Sequence, residues 1–432
     1  MDKNTRSAPV FIKLINALFG LTIAVSTVAN VNADPGTLEL GLNTEYTDNA
    51  RLSATGQESD FKNTASVSID KSDQFGRLDS YIVGDLEYYT YANDTYANSL
   101  DANLLWDANY NIRPGSLTWG ISDELSEVTI DSSQPDTPDN RTRRNIFTTG
   151  PAYTMNLSKT DFANFTAEYQ RVDYQTDGDD NDRFNLFSSL THLFTPQQQA
   201  SVNYDWTKTL FGSERELYRN QVYLSYRYSY LQFYFDGSYG ITHLKGRAGT
   251  ATDETDSNTW NATLRTNLTR TSTLGLTYNR ELNDTASGFD QRYNDSVINL
   301  TETSVVLLTE WSLLYTKNFS NNSALDGRIF HNVSEYLISS SDEERNGVEI
   351  GYSYPLLHRL TVGLNAEYQQ IDYNPSARTD DKYDLSVGTS YEYIRNLFFT
   401  AEIARTQQDS NSPINEYEEN RVSIGVRYLP SF

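Results

Sequence analysis

The sequence predicts an all-β protein, a single transmembrane antiparallel up-and-down β-barrel of about 20 strands, with roughly 18 to 22 compatible with the pattern. Three observations carry this reading. Apolar and polar residues alternate with a period of two along most of the chain, which gives each strand one greasy and one wet face. Short connections alternate with long ones. Aromatic residues are abundant while the aliphatic supply is thin.

Composition excludes several classes. Tyr 31, Phe 19 and Trp 5 make 13% of the 432 residues aromatic, yet only 38% are hydrophobic and Met is 2; mean hydropathy is -0.60. A water-soluble core of this size would need more aliphatic filling, whereas a barrel needs apolar residues only on its outward face and aromatic girdles at two interfaces. The absence of cysteine excludes disulfide scaffolds, thiolate metal sites, cysteine nucleophiles and iron–sulfur clusters. A net charge of -24 leaves no basic footprint for phosphates, so nucleic acid is not an expected partner.

The first 33 residues read as a cleavable signal peptide. Lys3, Arg6 and Lys13 precede the apolar stretch 14–25, and Val31, Asn32 and Ala33 end in a small residue at the expected cut. That apolar stretch is shorter than the ~20 residues that span a bilayer. Residues 34–432 form the expected barrel. Within them the strongest apolar run, 304–308, is soon broken by Glu310, which excludes a helical inner-membrane protein.

The alternation is explicit. Leu38, Leu40, Leu42 and Tyr46 share one parity against Glu39, Gly41, Asn43 and Glu45; Val222, Leu224, Tyr226, Tyr228 and Tyr230 form the first arm of a hairpin whose second carries Leu231, Phe233, Phe235, Tyr239 and Ile241. Links at 73–76, 113–116, 158–161, 195–197 and 270–273 have the residues of tight turns. Longer polar stretches at 48–60, 131–144, 246–258, 285–300, 374–382 and 409–419 read as external loops. None of them stands out as a loop that folds inward. An even strand number is expected, because closure leaves no edge and both termini belong on the periplasmic side. The final strand, with Gly425, Tyr428 and the terminal Phe432, resembles the signal by which the outer-membrane assembly machinery recognises its clients.

Near the N-terminus, Glu45-Tyr46-Thr47-Asp48-Asn49 and Gly56-Gln57-Glu58-Ser59-Asp60-Phe61 resemble the opening of the outer-membrane β-barrel proteins associated with the PEP-CTERM and exosortase system. That group is similar to the family called putative β-barrel porin 2. The resemblance implies residence in the outer membrane of a Gram-negative bacterium and a link to surface-polysaccharide export, whose components become expected partners. It brings no catalytic residues.

A barrel of this size has room for an aqueous lumen. Parity assigns to its inner face Glu39, Glu45, Asp107, Glu124, Glu168, Asp205, Asp236, Glu367 and Glu402, against Arg227, Arg265, Arg421 and Arg427. That carboxylate excess points to passage of cations or neutral solutes, although solvated wall residues of an ordinary polar lumen would look the same. Trp106, Trp119, Trp206 and Trp260 read as girdle residues. The four histidines lack any HExxH, GxSxG or GxxxxGK context, so no enzyme and no cofactor is expected. The acidic run 177–182 lacks the closing Glu of a dedicated calcium loop, leaving its carboxylates to meet lipopolysaccharide through divalent ions. The leading expectation is therefore a porin-like channel, the second a non-conducting structural or surface-interaction barrel, and the third a barrel hydrolase or acyltransferase.

Overall fold

Between the turns, runs of alternating Leu, Val, Tyr and Thr leave the backbone one state in which every polar group is paired and every second side chain meets lipid, the extended ladder. The computed structural model describes residues 36–248, 251–284, 300, 305–337 and 342–430; the expected signal peptide and Phe432 lie outside them. Twenty strands follow in order: β1 (Thr37–Thr47), β2 (Asp60–Phe75), β3 (Leu78–Tyr91), β4 (Ser99–Arg113), β5 (Leu117–Thr129), β6 (Arg141–Asn156), β7 (Asp161–Tyr174), β8 (Asn181–Thr195), β9 (Gln198–Phe211) and β10 (Arg215–Tyr230) make the first half. The second half is β11 (Phe233–Ala248), β12 (Ala251–Thr269), β13 (Ser272–Asp284), β14 (Val305–Asn318), β15 (Ala324–Tyr336), β16 (Glu343–Leu357), β17 (Leu360–Tyr373), β18 (Arg378–Ile394), β19 (Leu397–Ser410) and β20 (Tyr417–Tyr428).

Each strand pairs antiparallel with the next, and β20 returns to β1, with Leu42 opposite Val426 and Tyr46 opposite Val422. The barrel is closed, as the alternation requires. Following directly opposed residues once around the wall returns to β1 displaced by about 26 residues, which for twenty strands gives a tilt of about 44° and a backbone diameter of about 40 Å. Connections at the end where β1 starts and β20 finishes are only two to five residues long. By the convention of outer-membrane barrels that end is periplasmic and the other external.

The outer face carries the apolar parity. Leu42, Leu186, Val222, Leu224, Ile241, Leu385 and Ile424 are all exposed, and two aromatic belts border them. Tyr46–Phe61, Tyr169–Phe184, Tyr239–Trp260 and Tyr368–Tyr383 pair toward the external side; Tyr226–Phe235, Tyr228–Phe233, Tyr352–Tyr354 and Tyr393–Phe399 pair toward the periplasmic side. Along β18 the belts, at Tyr383 and Tyr391, lie about 20 Å apart along the barrel axis, close to the apolar height of such barrels. This face makes a direct prediction. Leu224→Arg, at a position 59% exposed to lipid, should cost about 2–4 kcal/mol, whereas Thr263→Arg on the inner face should stay within about 0.5 kcal/mol. Denaturant titration of folding into lipid vesicles measures both.

One expected loop is not a loop. Residues 246–248 and 251–258 continue β11 and β12 as tall paired strands, with His243 opposite Asp256 and Lys245 opposite Glu254. These strands have left the bilayer, so nothing demands apolar residues on either face, and polar side chains pair across the ladder instead.

Candidate functional site: a lumen crossed at its external mouth

The register places Glu39, Glu45, Asp107, Glu124, Glu168, Asp205, Asp236, Glu367, Glu402, Arg227, Arg265, Arg421 and Arg427 on the face opposite the exposed apolar rows. They do not form one cluster. Arg227 holds Asp236 at 2.6 Å and Arg427 holds Glu39 at 3.4 Å, so these pairs contribute little net field. Glu367, Glu402 and Arg421 instead share an open inner-wall cavity of about 600 Å³ with Glu349 and Asp384. The register sets Glu349 opposite Glu367 and Glu367 opposite Asp384, making a lateral row of three carboxylates across β16, β17 and β18. Like charges in this relation repel, and their neighbours Arg328 at 3.5 Å and Lys382 at 3.3 Å offset the row only at its two ends. A second cavity of about 720 Å³, lined by Arg265, Thr263, Asn279, Ser312 and Glu310, lies beside it and shares Arg328.

Above these cavities the wall itself folds into the lumen. The ladder between β12 and β13 ends at Trp260–Arg280, while β13 continues to Asp284 paired, among the described residues, only with β14. The four residues 281–284 therefore leave the wall. Leu282, Val305 and Leu307 pack on Phe211, Leu217 and Leu244, which face inward from β9, β10 and β11. Both faces of the β14 end are buried, Val306 and Leu308 to 1% exposure. Two arginines hold the infolded end: Arg219 bonds Glu281 and Asp205, each at 3.0 Å, and Arg183, reaching from β8, pairs with Asp284. Asp205 is thus a partner inside a buried network and not a free lumen charge. Gly347 lets Phe330 lie flat on the inner wall nearby, since a Cβ there would meet the ring at 2.2 Å.

The loop 130–140, between β5 and β6, folds inward as well. It crosses to the opposite wall, where Ser132 donates to the Glu343 carboxylate, the Tyr373 hydroxyl donates to the Ser132 carbonyl at 3.4 Å, and Arg378 donates to the Ser133 carbonyl at 2.8 Å. Arg345 braces Glu343 at 2.9 Å. The two infolded parts meet where the Leu300 N–H donates to the Ile130 carbonyl at 2.9 Å. A third contribution comes from Tyr96, in the loop after β3, which packs on Tyr91 and lies beneath Arg51. Burial raises the Tyr96 phenol pKa, with Thr137 of the crossing loop and the Arg51 charge opposing it. The phenol stays protonated.

The sequence missed this plug, although one signal was present. Residues 305–308 are four apolar residues in a row, and a strand inside a barrel wall has no reason to be greasy on both faces. The four tryptophans read as girdle residues lie on the outer face, where Trp106 donates to Ser80 Oγ at 3.1 Å and Trp119 to Thr149 Oγ1 at 2.9 Å. His192 and His243 also face outward, on Asp161 and Asp256 at 2.7 Å. The acidic run after β7 is used internally: Asp180 accepts the Tyr174 N–H, Asp179 accepts from Ser213 and Asp182 pairs with Arg171. Among the described residues no three His, Asp or Glu side chains gather as a metal site.

Comparison with known proteins agrees with this architecture. A search of the curated proteins finds no match. Among solved structures, the FrpB iron transporter from Neisseria meningitidis (F3-3 variant) superposes with a TM-score of 0.50 at 10% identity, covering 92% of this chain and 82% of that one. A mutant of the ferric enterobactin receptor PfeA from Pseudomonas aeruginosa gives 0.51 at 8% identity, covering 93% and 81%. At these identities the likeness is one of fold. Residues 317–429, spanning β15 to β20, match the family model described as Putative beta-barrel porin 2. The chain is a twenty-stranded barrel of outer-membrane architecture whose C-terminal strands are similar to that porin family.

Proposed function

We propose that the protein is a porin-like outer-membrane channel for cations and small neutral solutes, gated at its external mouth. The observation that carries this reading is the polar, carboxylate-rich inner wall below the plug, with Glu349, Glu367 and Asp384 in one row and a net charge of -24 behind it. A row of carboxylates facing an aqueous path concentrates cations and repels anions. Similarity of residues 317–429 to a porin family supports the same reading.

Planar-bilayer recordings under a salt gradient test it. The open channel should show a reversal potential of cation sign, and the triple variant Glu349→Lys, Glu367→Lys, Asp384→Lys should move that potential toward or past zero. Anion preference in the unchanged protein would overturn the proposal.

The segments folded across the mouth favour a second reading, a non-conducting barrel that acts through its external surface. A protein that stays silent in bilayers, even with its plug released, would select that reading. A role in surface-polysaccharide export is supported by the N-terminal resemblance at residues 45–49 and 56–61. A deletion strain should then release less polysaccharide, and unchanged release would detach the protein from that pathway.

A further inference from the structure

The barrel wall is split on one side. Above Trp260–Arg280, β12 runs on for nine more residues that pair with β11 but not with β13. Among the described residues none pairs with its far edge, where Asp253, Glu254, Asp256 and Asn258 are all exposed. The strand that should cover this edge lies inside the lumen, on Phe211, Leu217 and Leu244.

From this geometry we infer that residues 281–284 and 305–308 form a gate that exchanges between two partners, the inner wall of β9–β11 when shut and the free edge of β12 when open. The inference rests on the channel reading above. Parity supports it. Extending the existing register sets Asn258 opposite Leu282 and Ser257 opposite Asn283. Zipped in that register, Leu282, Val305 and Leu307 would join the outward parity of Leu276, Tyr278 and Trp311, while Glu281 and Asn283 would face the lumen. The apolar residues that now seal the mouth are therefore the ones an intact wall would turn outward. Each state has its own compensation. The shut state gains the Leu282 contacts and the Arg219 and Arg183 ion pairs; the open state regains ladder hydrogen bonds along an edge that no other described residue pairs with. Two packings of comparable merit for one element are what a switch requires.

The absence of native cysteine makes the test clean. The double variant Asn258→Cys, Leu282→Cys should form a disulfide under mild oxidant, because directly opposed residues of an antiparallel pair lie within disulfide reach. Single-channel conductance should then rise several-fold over either single variant and fall back on reduction. Ser257→Cys with Asn283→Cys, the adjacent pair, repeats the test should the first variant fail to fold, with heat-dependent gel migration reporting folding. No cross-link, although both thiols react with a small maleimide, would overturn the gate. A cross-linked but silent protein would also overturn it, and a variant with residues 131–139 replaced by two glycines then separates the two ideas. Conduction by that variant keeps the channel reading and discards the gate; silence with the loop shortened and the cross-link formed in the same protein discards the channel reading itself.

Discussion

Replacing residues 131–139 with two glycines should raise single-channel conductance several-fold. Ile130 and Asn140 are already joined by a backbone hydrogen bond of 2.9 Å, and Thr129 stands opposite Arg141. A short turn can therefore close β5 to β6 without disturbing the ladder. What disappears is the strap across the mouth, with its anchors on Glu343, Tyr373 and Arg378. Beneath it lies a lumen about 40 Å across between backbones, so ion flow should be limited by the plug and not by the wall. Barrel stability should change little, because the loop contributes no strand. An unchanged conductance would move the main barrier onto the infolded ends of β13 and β14.

Arg219→Ala should have the second large effect. The guanidinium lies between Asp205 and Glu281, all three largely buried. Removing it takes away the cation that Asp205 and Glu281 share, and breaking such a buried pair costs roughly 3–5 kcal/mol. The wall strands keep their own ladders, so the loss should fall on the infolded segment. Hydrogen exchange at residues 281–284 should accelerate by at least a hundredfold, about 3 kcal/mol, and conductance should rise. Arg219→Lys should recover part of the protection, since it restores the charge without the fork that serves two partners. Exchange rates at 281–284 equal to those of the unchanged protein would show that the Leu282 packing holds the gate alone.

The wall was legible in the sequence because lipid enforces it at every second position. Leu42, Val222, Leu224 and Ile424 had only one face available to them, and once they turned outward Glu39, Asp107, Glu367 and Arg421 had to turn inward. The plug was not legible, for a related reason. Leu282, Val305 and Leu307 carry the parity of lipid-facing residues, so alternation cannot tell a strand in the wall from one folded through the mouth. Its holding contacts are also remote in sequence: Arg219 and Glu281 are 62 residues apart, Ser132 and Glu343 211. No local pattern encodes pairs of that kind. The tall β11–β12 pair escaped because strands outside the bilayer need no apolar face. Only the unbroken run 305–308 carried a hint, as an excess of grease where a wall strand would show polar residues.

Access to the inner wall from each side of the membrane distinguishes a blocked external mouth from an open one. A single cysteine placed by Glu367→Cys lies below the plug, while one placed by Glu254→Cys sits on the exposed edge of β12. In intact cells a bulky, membrane-impermeant maleimide should label Glu254→Cys readily and leave Glu367→Cys unmodified, and in purified outer membranes opened to the periplasmic side both should react. Rapid labelling of Glu367→Cys from outside intact cells would contradict the closed mouth, and failure to label it from the periplasmic side would contradict the lumen.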